Sequence, residues 1–330
     1  MIRKTCSDGV GYSVVDLTDV RHVFAAAVPR CGGSLGAQAD DALKTIEAVI
    51  REEGTLGSIV HQVVFLGDYS QLDEVRKIIR DFYGPEMPAT TYVPQLPCEG
   101  GLISIEALGV GRKKGDVDIL RFSDQLVLAR HNNISWVHCA NVVPQTAATA
   151  TYDRAIDAFQ RMRALLQRVD VRFDQVIRTW LYLGDITGPE ADTQRYKELN
   201  RARTDFYQGI RFGNGLLPDG WQSPVYPAST GIGTEGKNLV LSLIAFETQR
   251  NDIRLIPLEN PVQTAACDYE LRYGPQSPKF ARAMGVVGPK YAATFVSGTA
   301  SITNSETRHL NDVERQTEQT LDNIAALIAP

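Results

Sequence analysis

The chain has 330 residues, of which 43% are hydrophobic and 22% charged, with a formal net charge of −5. That composition is ordinary for a folded globular protein with room for two or three domains. The acidic balance, the lack of a long basic run and the lack of an apolar run of spanning length exclude nucleic acid and membrane as expected partners.

In chain order the sequence reads as a repeat. The first copy starts with an apolar strand over residues 23–28. A helix follows with Ala39, Leu43, Ile46 and Ile50 on one face. Next come a strand over 61–68, a second helix carrying Leu72, Val75, Ile79 and Phe82, and two closing strands over 89–93 and 102–110. A glycine- and charge-rich join spans 111–116.

The second copy opens with strands over 118–122, 126–130 and 134–140. Its first helix carries Tyr152, Ile156, Phe159, Arg163 and Leu166. The strand over 177–185 ends in Leu-Gly-Asp, as does that of the first copy at 66–68. The helix over 195–207 ends in Asp-Phe-Tyr, again as in the first copy at 81–83. An insertion over 209–224 precedes Pro227-Ala-Ser-Thr230, the counterpart of Pro88-Ala-Thr-Thr91, and a strand over 238–247 closes the copy.

A third copy reads as strand-like runs over 262–269 and 292–297, then a helix with Val313, Thr317, Leu321, Ile324 and Ile328 on one face. The second half of this copy is missing, so another chain is expected to cover that face. The domain expectation is 1–112, 113–258 and 259–330. Each full copy reads β-β-α-β-α-β-β, an α+β layer with helices on one face of a mixed sheet.

Between the third-copy runs, Tyr273-Gly-Pro-Gln-Ser-Pro278 and Ser297-Gly-Thr-Ala-Ser301 are dense in turn formers and hydroxyls. Arg272, Tyr273, Ser277, Phe280, Arg282, Thr299 and His309 fall on or beside them. Arginines, an aromatic wall and a hydroxyl turn suit a planar anion, and a plain surface hairpin is the bland alternative. Arg282 is the candidate carboxylate ligand, because a guanidinium offers a bidentate fork. Backbone N–H groups at Gly298 and Thr299 are candidates for an oxyanion, or Gly298 only permits a turn. Arg203 lies beside the apolar face of Tyr196, Leu199 and Phe206, either reaching a cleft or solvated.

Glu106, flanked by Ile105 and Ala107, is a candidate general acid if its strand environment raises its pKa. It reads equally as a strand glutamate on a polar face or in an intersubunit ion pair. His138-Cys139 has no further ligand at metal spacing and reads as a buried structural pair. Cys31-Gly-Gly-Ser34 has no assignable base. Gly231-Ile-Gly-Thr-Glu-Gly236 lacks the Lys-Ser/Thr of a phosphate loop and reads as a hairpin connection. Five cysteines without a CxxC pair, and an N-terminus without an apolar core, predict a reduced cytoplasmic protein with no metal and no cofactor.

The element order, the Phe-Leu-Gly-Asp strand end, the Pro-Ala-x-Thr start and the Ile-Glu-Ala strand resemble the RidA/YjgF superfamily of imine deaminases. From about residue 120 to 328 the chain is more similar to the chorismatases of the FkbO type. Thr179-Trp-Leu-Tyr-Leu-x-Asp-Ile186, Arg195-Tyr, Asn200-Arg-Ala-Arg203 and Pro227-Ala-Ser-Thr-Gly-Ile-Gly233 match in order. Glu259-Asn-Pro-x-Gln263, Tyr273-Gly-Pro-x-Ser-Pro278, Phe280-x-Arg-Ala283 and Ser297-Gly-Thr-Ala-Ser-Ile302 continue the series.

The resemblance implies an enzyme that hydrolyses or eliminates from an anionic cyclic or enol-ether metabolite such as chorismate. Arg203, Tyr273, Phe280, Arg282, Gly298 and Thr299 would bind the substrate. It implies a homo-oligomer, a trimer or dimer of the chain, or pseudo-trimeric packing of its units. Two positions depart from the pattern. The clamp arginine that follows Pro-Ala in RidA deaminases is replaced by Thr90 and Ser229, and the last chorismatase strand, which carries an acid, has its only counterpart in Glu106 with Cys98 upstream. An imine deaminase with another carboxylate clamp, and a non-catalytic metabolite-binding member, remain as alternative readings.

Overall fold

The structure, a computed structural model, describes residues 2–7, 9–53, 57–97, 100–112, 116–213, 215–270, 273–274, 276–328. Cys98 and Arg272, like residues 113–115 of the 111–116 join, lie outside the described residues. The first repeat runs β1 (Ile2–Ser7), β2 (Val10–Leu17), β3 (Val20–Ala27), α1 (Leu35–Glu53), β4 (Ser58–Leu66), α2 (Leu72–Tyr83), β5 (Ala89–Pro94) and β6 (Ile103–Arg112). The second runs β7 (Asp118–Ser123), β8 (Leu126–His131), β9 (Ile134–Val142), α3 (Thr151–Gln167), β10 (Val176–Gly184), the short β11 (Pro189–Glu190) and β12 (Thr193–Gln194), α4 (Arg195–Tyr207), β13 (Ala228–Thr234) and β14 (Leu239–Thr248). Then come β15 (Arg254–Leu258), β16 (Ala283–Gly288), β17 (Tyr291–Val296), the bridges β18 (Ile302–Thr303) and β19 (Glu306–Thr307), and α5 (Val313–Ile328).

The first sheet has strand order β1-β2-β3-β6-β4-β5 and the second, counted from its other edge, β7-β8-β9-β14-β10-β13. These are the same order once the strands are numbered within each repeat, so the α+β fold class and the repeated unit expected from the sequence are what the chain forms. β4 and β5 pair in parallel, while β3–β6 and β4–β6 are antiparallel. A parallel pair needs a crossover connection, and α2 supplies it. β15, β16 and β17 make a separate antiparallel three-stranded sheet that precedes α5.

The chain groups into two compact units. In the unit holding residues 1–142, α1 covers the first sheet with Leu35, Ala39, Ala42, Leu43, Ile46 and Ile50, all buried. The opposite layer of the same unit buries four of the chain's five histidines: His22, His61, His131 and His138. In the unit holding residues 143–233 and 251–330, α3 and α4 pack together through Phe159 and Phe206, whose rings stack at 5.2 Å.

Four expectations are corrected. Strands β1 and β2 precede the strand first read near residue 23; their mixed polar and apolar residues break the clean alternation that marks a strand. Residues 262–269 are not a strand but a bridge at Gln263 and a single 3-10 turn, Ala266–Asp268. The inward face of α3 is Ala155, Ala158, Phe159, Met162 and Leu166, so Tyr152 turns outward and bonds Asp205. The face expected for α5 is turned outward, with Val313, Leu321 and Ile328 at 77%, 60% and 53% exposure.

Asn323 explains that last difference. Its side chain donates to the carbonyls of Ala300 and Ile302 at 2.9 Å each, and its own carbonyl accepts from Asn260. These buried hydrogen bonds cannot be left unmade without a desolvation penalty. They set the helix rotation with Asn323 and Leu327 inward.

Candidate functional site

The site is built on α4, where residues three apart share a face. Asn200 and Arg203 are such a pair: Arg203 donates from Nη2 to Asn200 Oδ1 at 2.6 Å and from Nη1 to Ser229 Oγ at 3.2 Å. Arg203 is 1% exposed and its Nε has no hydrogen-bond partner among the described residues. Ser229, on β13, also accepts from Thr179 Oγ1 of β10 at 2.8 Å, and its backbone N–H donates to Ser297 Oγ. Ser297 in turn donates to the Ala281 carbonyl, which ties the turn after β17 to the segment before β16.

That segment carries Phe280 and Arg282. Arg282, 4% exposed, donates from Nη2 to the Thr264 carbonyl at 2.8 Å and to the Tyr269 hydroxyl at 2.9 Å, and its Nε is also without a partner. The Arg203 and Arg282 guanidinium carbons lie 5.5 and 5.4 Å from the centre of the same Phe280 ring. All the hydrogen bonds of the pair just named end on neutral oxygen atoms. A buried cation with an unpaired donor is costly unless a counter-charge can reach it. The pair is suited to a carboxylate.

The remaining candidates fall around this pair. Tyr273 donates its hydroxyl to Glu306 at 2.6 Å and sets its ring 5.8 Å from that of Tyr269, one layer out from Arg282. Thr299 is bonded to the Gln263 amide. The Gly298 N–H is taken up by Thr230 Oγ1 at 2.8 Å, so it is not directed at a ligand. Glycine is needed there for close approach: a Cβ would meet Thr230 Cγ2 at 2.6 Å. Ser277 bonds the Cys267 carbonyl, and His309 is exposed.

Glu106 stands in the other unit, on β6, opposite Ala26 and Val63. Its side chain is exposed at the surface, and the protein packed around it raises its carboxyl pKa. His138 and Cys139 are fully buried, as read from the sequence.

Three participants escaped sequence reading. Arg178 is buried beside Trp180 and bonds Thr230, and burial lowers its pKa to about 9. Tyr269 orients Arg282. Glu259 accepts from the Arg282 backbone N–H; burial raises its carboxyl pKa, against a lowering by the Arg282 charge. Glu259 stands within a motif quoted above, but a single exposed glutamate before Asn-Pro carries no periodic signal.

The repeated strand order defines an α+β protein built from two like sheets, and the second unit carries a buried guanidinium pair. The crystal structure of a chorismatase superposes with a TM-score of 0.57 at 21% identity, covering 96% of this chain and 78% of that one, a likeness of fold. The sequence profile of the family described as chorismatase FkbO/Hyg5-like, N-terminal, matches residues 118–245, and over that span the chain is FkbO/Hyg5-like. A 3-hydroxybenzoate synthase from Streptomyces hygroscopicus is 33% identical over 198 residues, 58% of this chain and 53% of the relative. A chorismatase from the same organism is 31% identical over 207 residues, 60% and 54%. The chain spans about half the length of these curated relatives. No helix among the described residues is long and apolar enough to cross a membrane.

Proposed function

We propose that the chain is an enzyme of chorismatase type that binds an anionic, cyclic enol-ether metabolite at the Arg203–Arg282 pair. The observation that carries this reading is the pair itself: two buried guanidiniums around one ring, each with an unpartnered Nε. The similarity to a 3-hydroxybenzoate synthase and to chorismatases supports chorismate as the substrate.

In this reading one guanidinium takes the ring carboxylate and the other the enolpyruvyl carboxylate, with Phe280 between them. A general acid protonates the methylene carbon of the enol ether, giving an oxocarbenium ion. Water adds to that cation, and the resulting hemiketal collapses to pyruvate and the ring alcohol. Glu259 is the better placed acid, because it stands in the same unit as the pair and accepts from the Arg282 backbone N–H. Glu106, the acid read from the sequence, is the second candidate.

Incubation with chorismate, with pyruvate followed by a coupled assay and the ring product by NMR, tests the proposal. Pyruvate release that disappears in Arg282→Ala is expected. No turnover and no chorismate binding by the wild-type chain would defeat it. Ammonia release from 2-aminoacrylate-type imines would instead favour the deaminase reading, in which Arg203, bonded to Ser229, stands in for the clamp arginine.

A further inference from the structure

A cavity of about 870 Å³ opens beside α4 and is lined by residues of 204–226 together with Gln276 and Lys279. Arg203, Phe280 and Arg282 do not line it. Its volume is within the range of small-ligand sites, and its apolar wall combines Tyr207, Phe212, Trp221 and Tyr226 with the aliphatic Ile210, Leu217 and Val225. The Tyr207 and Tyr226 rings lie nearly parallel, 15° apart in plane, and Trp221 stands at the rim with 38% of its surface exposed.

Its charged side chains are unequal in sign, two basic to one acidic. Lys279 sits 5.8 Å from the centre of the Tyr226 ring and donates to Ser277 Oγ, a neutral partner. Arg211 is exposed at the same cavity. The one carboxylate there, Asp205, is engaged by the Tyr152 hydroxyl at 2.9 Å. The cavity therefore presents two cations to a ligand. It also presents acceptors, because Gln276 Oε1 and Thr204 Oγ1 are buried with no hydrogen-bond partner among the described residues.

We propose that this cavity is a second ligand site, for a planar aromatic carboxylate that carries a hydroxyl group. The ring lies against Tyr207, Tyr226 and Trp221. The carboxylate meets Lys279 and Arg211, and the hydroxyl donates to Gln276 Oε1. Each assignment follows from complementarity. Aromatic faces favour stacking, a lysine hydrogen-bonded to a neutral hydroxyl favours an anion, and a buried acceptor without a donor disfavours any ligand that cannot supply one.

The test is calorimetric titration of the full chain with 3-hydroxybenzoate and with benzoate. Saturable binding of both is expected, with the hydroxylated ligand roughly fivefold tighter for one added hydrogen bond. Lys279→Met should weaken both ligands by about tenfold or more. Gln276→Leu should bring the two ligands to equal affinity. Both ligands also suit the Arg203–Arg282 pair, so the discriminating heat is the part lost in Lys279→Met; it should persist in Arg282→Lys while turnover of chorismate is impaired, and the two sites then fail separately. Three results would each overturn the proposal: no saturable heat with the wild-type chain, unaltered affinity in Lys279→Met, or loss of binding in Arg282→Lys but not in Lys279→Met.

Discussion

Arg203 of α4 and Arg282 of the segment before β16 bring their guanidiniums to one ring, Phe280, at 5.5 and 5.4 Å. The first is held by Asn200 and Ser229, the second by Thr264 and Tyr269, so neither is free to swing away without breaking buried hydrogen bonds. Preorganised charge of this kind binds an anion with little loss of side-chain entropy. Arg282→Ala is expected to weaken chorismate binding by roughly 2–5 kcal/mol, through loss of a buried charge partner. Unchanged affinity in calorimetry would remove Arg282 from the site.

Glu259 provides a separate expectation. Glu259→Gln keeps the size and a hydrogen-bonding head but cannot deliver a proton. Pyruvate release should fall by roughly 10²-fold or more, while chorismate affinity stays close to that of the wild-type chain. Equal turnover in the two proteins would remove Glu259 from the role of acid.

Ser229 accepts from both Thr179 and Arg203 and is 4% exposed. Removing its hydroxyl leaves a guanidinium donor and a threonine hydroxyl without that acceptor. Ser229→Ala should cost about 1–3 kcal/mol of stability, read as a lowered urea midpoint at constant m-value. A change below the error of the measurement would mean that water takes over the lost contacts.

The buried histidines make the first unit sensitive to acid. His22 Nε2 lies 3.0 Å from His131 Nε2, and the His61 and His138 rings are 5.7 Å apart. Burial lowers the pKa of all four, to about 4 for His61 and His131, with further lowering of His138 by the other three. The unfolded chain takes up protons at each near pH 6.5, about the model-peptide value. Below that pH the unfolded state therefore binds more protons than the folded one, and stability is lost as pH falls from about 6.5 toward about 4. Unfolding midpoints measured across this window should decline, with a shallower slope in His138→Phe. A flat profile would mean that the cluster is already charged when folded.

The outward face of α5 leaves Val313, Leu321 and Ile328 uncovered, with Leu310 beside it at 73% exposure. Burying each is worth roughly 1.5–3 kcal/mol, enough to favour association of chains through this helix. Light scattering should show dimers or larger species that revert to monomers in Leu321→Glu. A strictly monomeric wild-type chain would rule this out.

Period alone made much of this chain legible, because helices and strands bury faces at local spacings of 3.6 and 2 residues. Thus α1 was readable from Ala39, Leu43, Ile46 and Ile50, and the repeat from Leu-Gly-Asp and Asp-Phe-Tyr at matching points. The short Phe280-x-Arg282 spacing likewise placed an aromatic ring beside a guanidinium before any fold was known. What the sequence does not carry is which distant polar groups meet. Arg203 finds Ser229 only because α4 lies over β13, and Glu259 meets Arg282 only because the chain between them turns back. Four histidines from β3, β4, β8 and β9 form one cluster only once the strands stack. Even the face of α5 escaped its own apolar pattern. Three buried hydrogen bonds to Asn323 outweigh the burial of aliphatic side chains, and those bonds exist only in the folded chain.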